Sequence, residues 1–132
     1  MNGIREYGIG RGGILIVDDC GEQCAALSEF LSLRGFRVFT ATDGFNALSI
    51  LRRCRPSVAL IDINMPNWDG VELHETICRL GYDLHMVLMS GDQKAVARAN
   101  LSQSFEGIVI DKPLPLYYLA NYLAAYEAPA AQ

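Results

Sequence analysis

The stretch Leu60-Ile61-Asp62-Ile63-Asn64-Met65-Pro66-Asn67-Trp68-Asp69-Gly70 decides how the rest of the chain reads. It continues an apolar run, Val58 to Ile61, that ends in a carboxylate and passes into a loop. Pro66 and Gly70 keep that loop from continuing as strand or helix. A buried strand with Asp62 at its carboxyl end is the expectation. In an open parallel sheet that edge holds the ligand crevice, because helices cover the two faces and leave the strand ends bare. A carboxylate there can coordinate a hard cation or attack a phosphoryl group, depending on what the neighbouring strand ends supply.

Outward from this stretch the chain alternates strand and helix. Ile14 to Val17 is apolar and β-branched and ends in Asp18-Asp19; Gly21 to Arg34 then places Cys24, Leu27 and Leu31 on one stripe before Gly35 stops it. Phe36 to Ala41 reads as a less apolar, edge strand, and Asp43 is placed to cap a helix in which Ala47, Leu48 and Leu51 face inward until Pro56. After the central strand, Val71 to Leu80 carries Leu73, Ile77 and Leu80 at helical spacing, with Gly81 just beyond. His85 to Met89 is a fourth strand ending in Ser90-Gly91-Asp92, and a polar helix follows from about Lys94 to Gln103. Gly107 to Ile110 is a fifth strand ending in Asp111-Lys112-Pro113, before a last helix from Leu116 to Tyr126 with Leu116, Leu119 and Leu123 on its core stripe. Strict alternation predicts an α/β fold, a doubly wound five-stranded parallel sheet with right-handed crossovers and helices on both faces.

At 132 residues, 51% of them hydrophobic, the chain can bury one sizeable core and is too short for two ordinary domains. The domain is expected over 14–126, after a glycine-rich leader, 1–13, and before an Ala/Pro-rich tail or start of a linker, 127–132. Gly8-Ile9-Gly10-Arg11-Gly12-Gly13 has the spacing of a dinucleotide fingerprint but precedes a strand instead of following one, so the leader reading prevails. A net charge of −4, with the eleven Lys and Arg scattered along the sequence, disfavours direct nucleic-acid binding. No apolar stretch approaches a membrane span and no signal peptide is evident, so a cytoplasmic protein is expected. Cys20, Cys24, Cys54 and Cys78 match neither a zinc pattern nor a CxxC pair. The last three are expected to pack as small hydrophobes. His74 and His85 stand isolated and read as structural.

The ends of strands one, three, four and five carry Asp18-Asp19, Asp62, Ser90 and Lys112. If the sheet reverses between its first and third strands, these ends lie side by side. Phosphoryl transfer asks for an in-line nucleophile, a divalent cation and fixed donors for the remaining oxygens. Asp62 suits the nucleophile; Asp19 and Asp62, with Asp18 directly or through a water and the Asn64 backbone carbonyl, suit Mg²⁺. Lys112 and the Ser90 hydroxyl suit the phosphoryl oxygens. Each feature alone also reads blandly, as a helix cap, a turn residue or an exposed strand exit.

These motifs, from Ile14-Leu15-Ile16-Val17-Asp18-Asp19 through the Asp62 loop and Ser90-Gly91 to Asp111-Lys112-Pro113, resemble the receiver domain of two-component response regulators over residues 14 to about 126. The resemblance implies a flavodoxin-like (βα)5 fold with strand order 2-1-3-4-5. It implies that Asp62 takes a phosphoryl group from a phosphohistidine of a sensor histidine kinase or histidine phosphotransfer protein, with Mg²⁺ on Asp18, Asp19, Asp62 and the Asn64 carbonyl. The chain would then be no enzyme beyond catalysing its own phosphorylation and dephosphorylation. Ser90 matches the switch hydroxyl and Lys112 the phosphoryl-contacting lysine. Two departures stand out: Val109 occupies the position of the usual switch aromatic, and Asp111 adds a charge beside Lys112.

The resemblance also implies an output surface made of the fourth helix, fifth strand and final helix, for a homodimer or an effector. Tyr118, Tyr122 and Tyr126 recur at every fourth position there and suit an interface, or else are half-solvated cover for the helix flank. Two alternatives are carried: a Mg²⁺-dependent phosphatase of haloacid-dehalogenase type and a receiver-like module that is never phosphorylated. The first places its nucleophile first and its acid pair last, with a general-acid Asp two residues after the nucleophile, where this chain has Asn64.

Overall fold

In the computed structural model the described residues are 12–66, 68–92, 94, 97, 108–127 and 129. Their elements are β1 (Ile14–Val17), α1 (Gly21–Leu33), β2 (Val38–Ala41), α2 (Gly44–Cys54), β3 (Val58–Asp62), α3 (Gly70–Arg79), β4 (His85–Ser90), β5 (Ile108–Asp111) and α4 (Leu116–Leu123). The strands form one sheet in the order β2-β1-β3-β4-β5, every pair parallel. The helix expected over 94–103 lies outside the described residues except for Lys94 and Ala97, as do the leader up to residue 11 and most of the tail.

Side chains alternate across each strand, so the sheet divides the apolar interior in two. Leu15, Val17, Ala59, Ile61 and Leu88 face one core, closed by Ala47 and Leu51 of α2 and Leu73 and Ile77 of α3. Ile14, Ile16, Leu60, Val87 and Met89 face the other, closed by Leu27 and Leu31 of α1 and Leu119 and Leu123 of α4. Burial on both faces is why β1 and β3 read as unbroken apolar runs. Among the described residues no helix is long and apolar enough to cross a membrane.

Helix ends follow their local chemistry. Asp43 Oδ1 accepts from the Asn46 amide at 2.7 Å and starts α2. Gly35, at φ +94°, ends α1, and the Phe36 amide turns back onto the Leu31 carbonyl. Phe36 is thereby consumed by the helix terminus, and β2 begins at Val38 instead of Phe36.

Several side-chain expectations are corrected. Leu80, 58% exposed, caps α3 beyond its last packed turn, and Leu116, 37% exposed, opens α4 before that helix reaches the sheet. Of the three cysteines expected to pack inside, only Cys24 is buried; Cys54 is half-buried and Cys78 exposed. The histidine and tyrosine readings merge, because the His85 ring bonds the Tyr122 hydroxyl at 2.6 Å and stacks on Tyr126 at 3.7 Å. Burial, then the neighbouring tyrosine, pushes the Tyr122 hydroxyl up to about 12. Tyr118 and Tyr126 remain exposed.

The fold also gathers charge that is scattered in sequence. Exposed Arg34, Arg37, Arg52, Arg53, Arg55 and Arg79 all lie in helix ends or in loops that enter strands, at the amino edge of the sheet. Asp18, Asp19, Asp62 and Asp111 lie at the carboxyl edge.

Candidate functional site

Strand register sets the site. Val17 pairs with Ile61, so Asp18 follows β1 beside Asp62 at the end of β3; Ser90, ending β4, pairs with Asp111, ending β5. The four strand ends named from sequence are therefore adjacent. Asp18 is 3% exposed and Asp62 6%, Ser90 is fully buried, and Asp19 is open to solvent. Carboxylate oxygens of Asp18, Asp19 and Asp62 lie within 4.8 Å of one another.

Lys112 is the cation that holds this acid group together. Its Nζ donates to Asp18 Oδ2 at 3.1 Å and lies 3.5 Å from Asp62 Oδ2. A third acceptor is Gln23 Oε1 of α1, at 2.8 Å. Asp18 Oδ1 accepts from the Cys20 amide at 2.9 Å, and Asp62 Oδ1 from the Asn64 amide at 3.2 Å. The Ser90 hydroxyl accepts from the Asp92 amide at 2.9 Å, and the Lys112 amide bonds the Ser90 carbonyl at 2.9 Å, which ties the lysine's backbone to the end of β4. The Lys112–Pro113 peptide bond is cis.

Burial raises the pKa of Asp62 above the usual carboxylate value. Lys112 and the Asn64 amide oppose that rise, while Asp18 and Asp19 add to it. Among the described residues one ammonium, within reach of Asp18 and Asp62, faces three acids and under-compensates them. The donors are hard oxygens, one side of the group is solvent-facing, and the charge deficit favours a further cation; all three properties fit Mg²⁺, which takes a few carboxylates and keeps several waters.

The loop after Asp62 is shaped by close contact. A Cβ at Gly70 would fall 2.8 Å from Ile63 Cα and against the Asp62 carbonyl, so α3 can begin this near β3 only without a side chain there. The Gly70 amide bonds the Ile63 carbonyl at 2.9 Å, and Asp69 caps α3 through the Val71 amide at 2.7 Å. Val109 is half-buried against the core shared with α2 and α3.

Two participants were not read from sequence. Gln23 stands one helical turn after Asp19, yet nothing in its surroundings signals that a lysine distant in the chain will reach it. Trp68 lies inside the decisive loop, and its contact with Gly44 is a matter of tertiary packing. Beside Lys112, a cleft of about 350 Å³ opens between α1 and the segment after β5, with Asp18, Gln23 and Lys112 at its polar end and Leu27, Met89 and Leu114 along its apolar wall.

An acid triad, a lysine and a hydroxyl thus meet at the ends of four parallel strands. Residues 14–124 match the family model of the response regulator receiver domain. The chain belongs to that family. It is 34% identical over 113 residues to the sensor histidine kinase RcsC of Salmonella typhimurium, covering 86% of this chain and 12% of that protein. It is 36% identical over 85 residues to the transcriptional regulatory protein PrrA of Mycobacterium leprae, covering 64% of this chain and 36% of that one. The chain thus spans only a small part of these relatives. Among solved structures, a response regulator receiver domain from Methylobacillus flagellatus superposes with a TM-score of 0.76 at 23% identity, covering 89% of this chain and 98% of that one. The response regulator protein TrrA from Thermotoga maritima, solved in complex with Mg(2+)-BeF, gives 0.75 at 24% identity, covering 88% and 98%. The five-stranded flavodoxin-like fold read from sequence is the fold of these neighbours. The phosphatase alternative is not favoured.

Proposed function

We propose that this domain is a phosphoacceptor switch in which Asp62 receives a phosphoryl group from a phosphohistidine of a sensor histidine kinase or histidine phosphotransfer protein. The observation that carries this reading is the Lys112 ammonium held between buried Asp18 and Asp62, with Asp19 completing an under-compensated acid group. Asp18, Asp19, Asp62 and the Asn64 main-chain carbonyl would hold Mg²⁺, which when bound offsets the negative charge of phosphoryl oxygens.

The chain's own residues do the rest. An Asp62 carboxylate oxygen attacks phosphorus, the P–N bond to a donor imidazole protonated on its other ring nitrogen breaks, and the electron pair leaves with the ring nitrogen, giving an acyl phosphate and neutral histidine. Lys112 exchanges its carboxylate partners for a phosphoryl oxygen, and Ser90, whose oxygen accepts from the Asp92 amide, donates its hydroxyl proton to another. Catalysis is confined to the domain's own phosphorylation and dephosphorylation. The output surface would comprise the helix expected over 94–103, β5 and α4, with Tyr118 available for a homodimer or effector contact. Val109 offers no aromatic ring to swing, so movement of Ser90 would reach that surface through the β4–β5 backbone.

Incubation with Mg²⁺ and acetyl phosphate, followed by intact mass measurement of wild type and Asp62→Ala, tests the reading. A Mg²⁺-dependent phosphate adduct lost in the variant supports it. Steady phosphate release from simple esters would point to a phosphatase, and no adduct from acetyl phosphate or a phosphohistidine donor to a passive interaction module; either result overturns it.

A further inference from the structure

The loop that carries Asn64 is fixed at both ends but has little beneath its middle. At its start the Asn64 amide bonds Asp62 and Met65 is buried; at its finish the Gly70 amide bonds Ile63. Between these points a cleft of about 250 Å³ separates Met65 and Pro66 from Asp43 and Gly44 at the start of α2. Trp68, the single tryptophan in the sequence, spans that gap. Its ring rests on Gly44 so closely that a Cβ there would lie 3.0 Å from Cδ2 and 3.2 Å from Cζ3. On its flank it meets the exposed Phe45 ring, with centroids 5.1 Å apart and planes tilted by 48°. It packs on the same core as Ile61, Ile63 and Leu73.

From this geometry we infer that Trp68 is a positioning residue for the phosphoacceptor site: it wedges the loop against the first turn of α2 and so holds the Asn64 carbonyl where a cation shared with Asp18, Asp19 and Asp62 can use it. The inference rests on the reading of the site given above. Its physical basis is the void. A loop packed on solid core has nowhere to move when one side chain is trimmed, whereas a loop beside open space is held by the side chain that crosses it. Removing the indole enlarges the gap and frees the segment between Met65 and Gly70 to settle toward α2. Phe45, 73% exposed, has no comparable grip of its own. Groups that orient metal ligands without touching the metal contribute substantially to affinity.

The test is Mg²⁺ titration by calorimetry on the full chain, wild type against Trp68→Ala, Trp68→Phe and Gly44→Ala, with thermal unfolding of each as a control on folding. Trp68→Ala is expected to raise the Mg²⁺ dissociation constant about tenfold, the lower end for lost support of metal ligands. Adduct yield from acetyl phosphate at saturating Mg²⁺ should stay near wild type, a binding-against-turnover split that general destabilisation does not produce. Trp68→Phe keeps a ring on Gly44 and should recover most of the affinity. Gly44→Ala leaves the indole in place but pushes it off its seat, and should weaken Mg²⁺ in the same direction although alanine is the better helix former. If Trp68→Ala fails to fold, Gly44→Ala and Trp68→Phe decide. Mg²⁺ affinity unchanged in folded Trp68→Ala and Gly44→Ala, with wild type binding normally, overturns this inference alone. A folded wild type that binds no Mg²⁺ overturns it together with the reading of the site.

Discussion

Gly70→Ala probes the junction on which the site is built. The added methyl would sit 2.8 Å from Ile63 Cα and 2.9 Å from the Asp62 carbonyl carbon. Carbon atoms pack comfortably at about 3.5–4.0 Å, so roughly 0.7 Å or more of separation must be found. Every obstructing atom is main chain, and no rotamer change can supply it. Either α3 backs away from β3 or the Asp62–Ile63 peptide shifts. Overpacking of this kind costs about 1–3 kcal/mol, and the rigid surroundings argue for the upper end. Alanine's better helix propensity returns at most about 1 kcal/mol. The net is about 2 kcal/mol, which for a chain of this size lowers Tm by about 8 °C. Since the displaced peptide carries Asp62 itself, Mg²⁺ affinity should fall as well. Thermal unfolding followed by circular dichroism, with Mg²⁺ calorimetry, measures both. Gly21→Ala is the control: its Cβ would meet nothing within 4 Å, and the change should be neutral or stabilising. Equal Tm and equal Mg²⁺ affinity for Gly70→Ala and wild type would refute the close-approach account of the loop.

Three further outcomes are expected. Lys112→Ala removes a positive charge lying 3.1 Å from Asp18 and 3.5 Å from Asp62, so Mg²⁺ should bind at least as tightly as to wild type while the adduct from acetyl phosphate is strongly reduced; parallel loss of both would contradict the role given to Lys112. Asp43→Ala deletes the cap on α2 and should cost about 1 kcal/mol, or about 4 °C in Tm, read in the same unfolding experiment. Burial holds His85 below its usual value of 6.5, so the unfolded chain takes up the proton first as pH falls. Its contribution to stability is present above about pH 6.5 and is lost progressively below it. Unfolding midpoints at pH 7.5 and 5.5 should therefore differ more in wild type than in His85→Phe, and identical differences would count against it.

Strands and strand ends were legible because their physical signals are local, whereas the strand order came from the family resemblance. β1 and β3 are buried on both faces and leave unbroken apolar runs; Gly35, Asp43 and Gly81 mark helix limits; the acids, Ser90 and Lys112 follow strands directly. What escaped depends on where helices end relative to the sheet and on partners remote in the chain. Leu80 and Leu116 fit a 3.6-residue stripe, but the stripe cannot tell that each sits one turn beyond its nearest buried member, Ile77 and Leu119. His85 looked isolated because the tyrosines that surround it lie on α4 and just after it, remote in the chain. Gln23 and Trp68 act through contacts with residues remote in the chain, and periodicity carries no trace of such contacts.

Six exposed arginines at the amino edge of the sheet, against Asp83 there, and four aspartates at the carboxyl edge, against Lys112 there, leave the described residues with a charge asymmetry along the strands. An incoming partner bearing a net positive face would feel a torque before touching anything, and would tend to arrive at the edge that holds Asp62 and not at the arginine edge. That pre-alignment acts over about 8 Å at physiological ionic strength and shrinks as salt is added. Encounter speed, more than the durability of the complex once formed, is the quantity it governs.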